Sequence, residues 1–212
     1  PLLRVAGKPI LEYQVELLRR HGIREVVFCV GYLADKIVEH FGDGGEFGIR
    51  AIYVREDPEN PLGTAGPIRN ASDYIDGTFL VLNGDIITNM NLTRMAEFHA
   101  KMGGLATISL VKLKSPYGVV DVNSSWRVMG FKEKPTLPYY INAGIYVFEP
   151  DVLRYVPERG MLETDVFPRL LREGEKVYGY YEEGVFWRDV GTYKDLEEVS
   201  KEIEKMGGNI WG

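Results

Sequence analysis

The chain has 212 residues, 45% hydrophobic and 26% charged, the length and balance of one large α/β domain whose core needs neither disulfides nor structural metal. Its formal charge is −6, from 25 Lys and Arg against 31 Asp and Glu. Without a basic cluster this argues against a nucleic-acid surface, and no apolar run nears the roughly 20 residues of a membrane span.

In chain order, the 3.6-residue spacing of Ile10, Tyr13, Gln14, Leu17 and Leu18 predicts a helix from Pro9 to His21, with Pro9 in the first turn. Gly22 stops it, and Val26–Val30 reads as a buried strand. A second amphipathic helix, Leu33–Phe41, ends at Gly42, and Ile49–Arg55 is the next strand. A Pro/Gly-rich loop from Asp57 to Gly66 leads into a short helix through Tyr74; Phe79–Leu82 is a third buried strand, stopped by Asn83-Gly84-Asp85. This βαβαβ rhythm implies a largely parallel sheet covered by helices on both faces.

The second half is richer in strands, expected at Ala106–Val111, Val119–Val122, Val128–Lys132, Ile141–Phe148, Lys176–Tyr181 and Val185–Trp187. Helices are expected at Leu92–Met102, Asp151–Val156, Thr164–Arg172 and Tyr193–Met206. Nothing reads as a linker or repeat, so residues 1–212 are taken as one domain. It joins a nucleotide-binding α/β half to a half with an antiparallel insertion: a Rossmann-like α/β fold with a mixed, mostly parallel sheet.

Asp85 follows an apolar strand, and Asp189 follows Val185-Phe186-Trp187-Arg188 in the same way. Ligands of open α/β sheets bind at the carboxyl ends of strands, so two such acids could share one Mg²⁺, with phosphate oxygens and water completing its octahedron. The competing reading is a pair of turn or N-cap residues. Leu62-Gly63-Thr64-Ala65-Gly66 precedes a helix, and its small residues would let backbone approach a nucleotide, although many loops contain Gly and Thr.

Glu133-Lys134-Pro135 offers a hydroxyl acceptor and a phosphate-neutralising cation, or simply an exposed ion pair at a strand end. Asn142-Ala143-Gly144-Ile145-Tyr146 could be a wall against a flat ligand or only close strand packing. His21, His40 and His99 fall near the C-terminal ends of expected helices, where a partly charged imidazole meets the dipole. The single cysteine, Cys29, excludes an internal disulfide framework; it reads as inert core in a reducing, cytoplasmic protein. Gln14 is the only glutamine among plentiful Glu, Lys and Arg, which leans towards a thermophilic source.

Taken in order, Gly7-Lys8-Pro9-Ile10, Leu62-Gly63-Thr64-Ala65-Gly66, Asn83-Gly84-Asp85, Tyr117-Gly118-Val119-Val120, Phe131-Lys132-Glu133-Lys134-Pro135, Asn142-Ala143-Gly144-Ile145-Tyr146 and Trp187-Arg188-Asp189-Val190-Gly191-Thr192 resemble the sugar-1-phosphate nucleotidylyltransferases over essentially the whole chain. The mannose-1-phosphate guanylyltransferases are most similar, with the glucose-1-phosphate thymidylyl-, uridylyl- and adenylyltransferases behind. The resemblance implies condensation of an NTP with a sugar 1-phosphate to NDP-sugar and pyrophosphate, GTP and mannose 1-phosphate being the expected pair. A homo-oligomer is compatible with it.

By that resemblance Asp85 and Asp189 hold Mg²⁺, while Leu62, Gly63 and Gly84 serve the nucleotide. Tyr117, Gly118, Glu133, Asn142 and Gly144 line the sugar pocket, and Lys134 meets the sugar phosphate. Glu56 is the candidate base reader, because a carboxylate can accept from guanine N1–H and N2–H₂ together; a solvated loop charge is the alternative. Family members also carry an earlier strand and a Gly-Thr-Arg loop around the triphosphate, and many append a β-helix domain. Neither is in this sequence, which begins at Pro1. The alternative of another class is a non-catalytic nucleotide-sugar-binding regulatory paralogue.

Overall fold

The computed structural model describes residues 2–211. A short ribbon of β1 (Arg4–Val5) and β2 (Lys8–Pro9) leads into α1 (Ile10–Arg20). Pro9 stands at the N-cap, where no intrahelical N–H bond is lost. The expected stripe of α1 is buried, and so are Leu11 and Val15. The helix therefore contributes to three separate apolar clusters rather than covering one surface.

Next come β3 (Glu25–Val30), α2 (Ala34–Phe41), β4 (Arg50–Arg55), α3 (Gly66–Asn70), β5 (Phe79–Leu82), β6 (Ile86–Thr88), α4 (Leu92–Met102) and β7 (Ala106–Lys114). The second half contributes β8 (Val119–Val122), β9 (Val128–Lys132), β10 (Thr136–Phe148), α5 (Phe167–Arg172), β11 (Val177–Tyr181), β12 (Trp187–Asp189) and α6 (Tyr193–Lys205). Among the described residues, no helix is long and apolar enough to cross a membrane.

The fold is mixed α/β, as expected. Four strands run in the order β11-β7-β10-β5. Here β7 and β11 are parallel, and β10 runs against both β5 and β7. Period-two alternation along β10 sends Tyr146 and Phe148 to one face, against Leu162, Val166, Phe167 and Leu170. Ile145 and Val147 go to the other, against Leu17, Leu18, Met90 and Met95. Both faces are covered, so this stretch reads as continuously apolar.

β3 and β4 form a separate parallel pair. Among the described residues, β3 bonds only to β4 and β5 only to β10, so each keeps one edge without a neighbour. Cys29 points to the opposite face of β3 from the buried Phe28 and Val30 and is exposed rather than core, correcting the sequence reading. Its inertness survives for another reason. The thiol lies in a crowded crevice beside the Pro67 carbonyl. Desolvation there, followed by the charge of Glu56, pushes its pKa to about 11.

Other boundaries moved. β10 starts at Thr136 rather than Ile141, with register shifts between Thr136 and Tyr140 and between Asn142 and Tyr146 that accommodate Pro138 and Gly144. The helix expected at Asp151–Val156 is a 3₁₀ turn, Pro150–Arg154, and the one expected at Thr164 opens with a π turn, Leu162–Val166. β12 lies two residues later than expected, and β6 was not expected at all.

Candidate active site

β12 runs antiparallel to β6 with Asp189 opposite Ile86. One residue outside this pairing, the Val190 N–H donates to the Asp85 carbonyl at 2.9 Å. The two acids thereby end on neighbouring strands. Partial desolvation and then the charges of Asp85 and Asp195 hold the Asp189 carboxyl above its ordinary range. Hard, mutually repelling carboxylate oxygens suit a small divalent cation that takes its other ligands from phosphate and water. Among the described residues no cluster of three or more His, Cys, Asp or Glu forms a metal cage. Arg188, between these motif positions, is structural: its guanidinium engages both carboxylate oxygens of Glu202 and ties β12 to α6.

The Asn83-Gly84-Asp85 turn is fixed from two sides. Asn83 N–H donates to the Gly144 carbonyl at 2.8 Å. Gln14 Nε2 donates to the carbonyls of Asn83 and Ile86 at 2.6 and 2.9 Å. Gly144 has φ +75°, and a Cβ there would crowd Asn83 and Ile86 at 3.0 Å, so the register shift and this close approach both call for glycine. Asn142 Oδ1 caps the Gly144 N–H at 2.9 Å.

Across from this strand sits the loop from Leu62 to Gly66. Gly63 has φ +82°, and a Cβ would collide with the Gly160 carbonyl. Gly160 N–H donates to the Leu62 carbonyl at 3.0 Å, and Ala65 N–H to the Gly160 carbonyl at 2.9 Å. Thr64 Oγ1 accepts the Leu162 N–H and donates to Glu163 Oε2, each at 2.8 Å. Glu56 Oε2 accepts the Leu62 N–H at 3.1 Å. One oxygen of the candidate base reader thus closes the 57–61 loop.

The third group is carried by the β8–β9 hairpin and the turn after it. Gly118 lies so close to Phe131 and Glu133 that a Cβ would meet their side chains at 2.5 and 2.9 Å. Tyr117 is exposed, and Ser115 N–H donates to the Pro135 carbonyl at 3.0 Å. Lys134 is exposed, makes no salt bridge among the described residues, and has φ +45°, a left-handed conformation unusual for a non-glycine residue. No hydrogen bond or ion pair among the described residues joins this group to Asp85 or Asp189.

Sequence reasoning missed three positioning side chains. Gln14 is a buried polar residue on an apolar helix face, and that was its signal. Tyr146 is fully buried, its hydroxyl pushed up to about 12 mainly by burial. Glu163, in a charged stretch, gave no signal. His21 does stand at the C-cap of α1, as expected, but desolvation lowers its pKa despite Glu182 and so disfavours the partly charged imidazole, and Nδ1 lies 2.8 Å from Thr93 Oγ1. His99 is buried between Thr107 and Glu149, and His40 meets Glu12.

This arrangement of carboxylates at strand ends beside a glycine loop agrees with what comparison finds: the chain belongs to the Nucleotidyl transferase family, which it matches over residues 1–206. It is similar to the UTP–glucose-1-phosphate uridylyltransferase of Synechocystis sp., with 34% identity over 97% of this chain and 59% of that protein. The mannose-1-phosphate guanylyltransferase of Mycobacterium tuberculosis is 35% identical over 96% of this chain and 58% of its own length. The mannose-1-phosphate guanylyltransferase catalytic subunit beta of Danio rerio is 36% identical over 92% and 56%. The chain spans less than three-fifths of these curated relatives. The crystal structure of HddC from Yersinia pseudotuberculosis shares the fold, with a TM-score of 0.76 at 24% identity, covering 96% of this chain and 89% of that one.

Proposed function

We propose that this chain carries the sugar-1-phosphate nucleotidylyltransferase chemistry of its family, with GTP and mannose 1-phosphate as substrates. The observation that carries the reading is the β6–β12 pairing, which puts Asp85 beside Asp189 at one end of the Asn83–Gly144 contact. In the reaction a phosphate oxygen of the sugar 1-phosphate bonds to the α-phosphorus of the NTP, and the bond from that phosphorus to pyrophosphate breaks. Bound between Asp85 and Asp189, Mg²⁺ would neutralise and align the phosphate oxygens.

The chain's own residues do the positioning, which is most of what such a transfer needs. Leu62, Gly63 and Gly84 offer backbone and small surfaces to the nucleoside and its phosphates. Tyr117, Gly118, Glu133, Asn142 and Gly144 line the sugar pocket, and Lys134 meets the sugar phosphate. Glu56 keeps one carboxylate oxygen outside its bond to Leu62, and that oxygen faces the guanine edge in this reading. The guanylyltransferase relatives support the GTP assignment, while the uridylyltransferase relative supplies the competing pair. Pyrophosphate release measured on the full-length protein with GTP, UTP and dTTP, each paired with mannose and glucose 1-phosphates, tests the reading. Preference for a pyrimidine nucleotide would sink the guanine assignment, and no release with any pair would sink the reaction.

A further inference from the structure

One carboxylate stands between the loop assigned to the nucleoside and the strand assigned to the sugar. Glu163 projects from the π turn Leu162–Val166, a local distortion that recurs at functional sites. Its Oε2 accepts the Thr64 hydroxyl at 2.8 Å, and Thr64 in turn accepts the Leu162 N–H. Its Oε1 lies 3.4 Å from the Tyr146 hydroxyl. Tyr146 is buried, its oxygen accepts Asn142 Nδ2 at 2.7 Å, and Asn142 Oδ1 holds the Gly144 N–H at 2.9 Å. A continuous chain therefore runs Thr64–Glu163–Tyr146–Asn142–Gly144.

The two ends of Glu163 differ. The Thr64 bond has settled geometry, whereas 3.4 Å is longer than the 2.5–3.0 Å of an ordinary O–H···O bond. Glu163 is exposed, so a ligand against the 62–66 loop can shift the carboxylate, while Tyr146 is locked in the core. Drawing Oε1 towards Tyr146 would shorten the bond that the Tyr146 hydroxyl donates to Glu163, and a better-paired donor makes its oxygen a stronger acceptor for Asn142 Nδ2. We propose that Glu163 is a positioning residue that couples the two half-sites: filling the nucleoside loop orders Asn142 and Gly144 for the sugar 1-phosphate. This rests on the nucleotidyl-transfer reading above. By linkage the effect is reciprocal, so the sugar phosphate tightens nucleotide binding by the same factor.

The test is calorimetric titration of the full-length protein with α,β-methylene GTP, with and without saturating mannose 1-phosphate, repeated with α,β-methylene UTP and glucose 1-phosphate. The parent is expected to show a coupling factor of about 5-fold or more. Glu163→Ala is expected to bring it to within about twofold of unity while both ligands still bind. Glu163→Gln keeps an acceptor for Thr64 but not for the Tyr146 proton, and should retain only part of the coupling. Tyr146→Phe and Thr64→Val break the chain at its buried and outer ends, so the proposal stays testable if either variant melts early. A merely structural Glu163 would weaken both affinities and leave their coupling unchanged; that result, or a parent factor near one, overturns the proposal. If neither ligand of either pair binds the parent, the functional reading itself fails.

Discussion

Asp85 and Asp189 repel one another, and this gives opposite expectations for stability and turnover. Changing either to Asn removes a charge that the cation needs and also relieves the repulsion. Asp85→Asn and Asp189→Asn should each lower pyrophosphate release at least about 10²-fold, while the metal-free protein melts no lower than the parent. Near-normal turnover in either variant would remove that residue from the metal pair. Lys134 offers a similar separation. Its left-handed backbone carries strain of roughly 1–3 kcal/mol, and glycine would relieve it. Lys134→Gly should therefore raise the melting temperature while raising KM for the sugar phosphate about 10-fold or more, the loss expected for a charge-assisted contact. Lys134→Met should show the same KM defect without the gain in stability; equal melts for both variants would contradict the strain argument.

At the C-terminus of α1, His21 sets a pH dependence whose sign follows from its surroundings. Burial keeps its folded pKa below the ordinary value near 6.5. Between the two values the unfolded chain binds the extra proton, so stability rises with pH across that interval and is lost as the pH falls through it. His21→Asn removes this component. The difference in melting temperature between parent and variant should shrink from about pH 8 to about pH 5, and a difference that stays flat would refute the assignment. The same helix shows what was legible beforehand. Its apolar stripe and Pro9 were enough to place α1, and turn residues placed β3, β4 and β5. β6 escaped because Ile86-Ile87-Thr88, three residues directly after a turn, are too few to show a period. Asp85 and Asp189 were readable as acids at strand ends, and resemblance paired them, but their proximity comes from the β6–β12 ladder. Glu163 was invisible because only folding brings its carboxylate to Thr64 and Tyr146.

Across the whole molecule, the open edges of β3 and β5 are the least ordinary feature. An apolar strand with unpaired backbone groups is a template for another strand, and neither edge carries a proline to block it. Residues 1–212 produced alone are expected to self-associate as concentration rises, read by sedimentation; a strict monomer throughout the micromolar range would show that these edges are protected in solution. The edge also divides β3 against itself. Successive amides of a strand point alternately to its two sides, so in β3 one set is tied to β4 and the other meets no strand among the described residues. Deuterium should enter these six residues at two interleaved paces: slow where the ladder must open, fast at the positions between. By its Val-Val-Phe-Cys-Val sequence β3 belongs in the middle of a sheet, yet in isotope uptake every second amide will behave as if it lay on the outside.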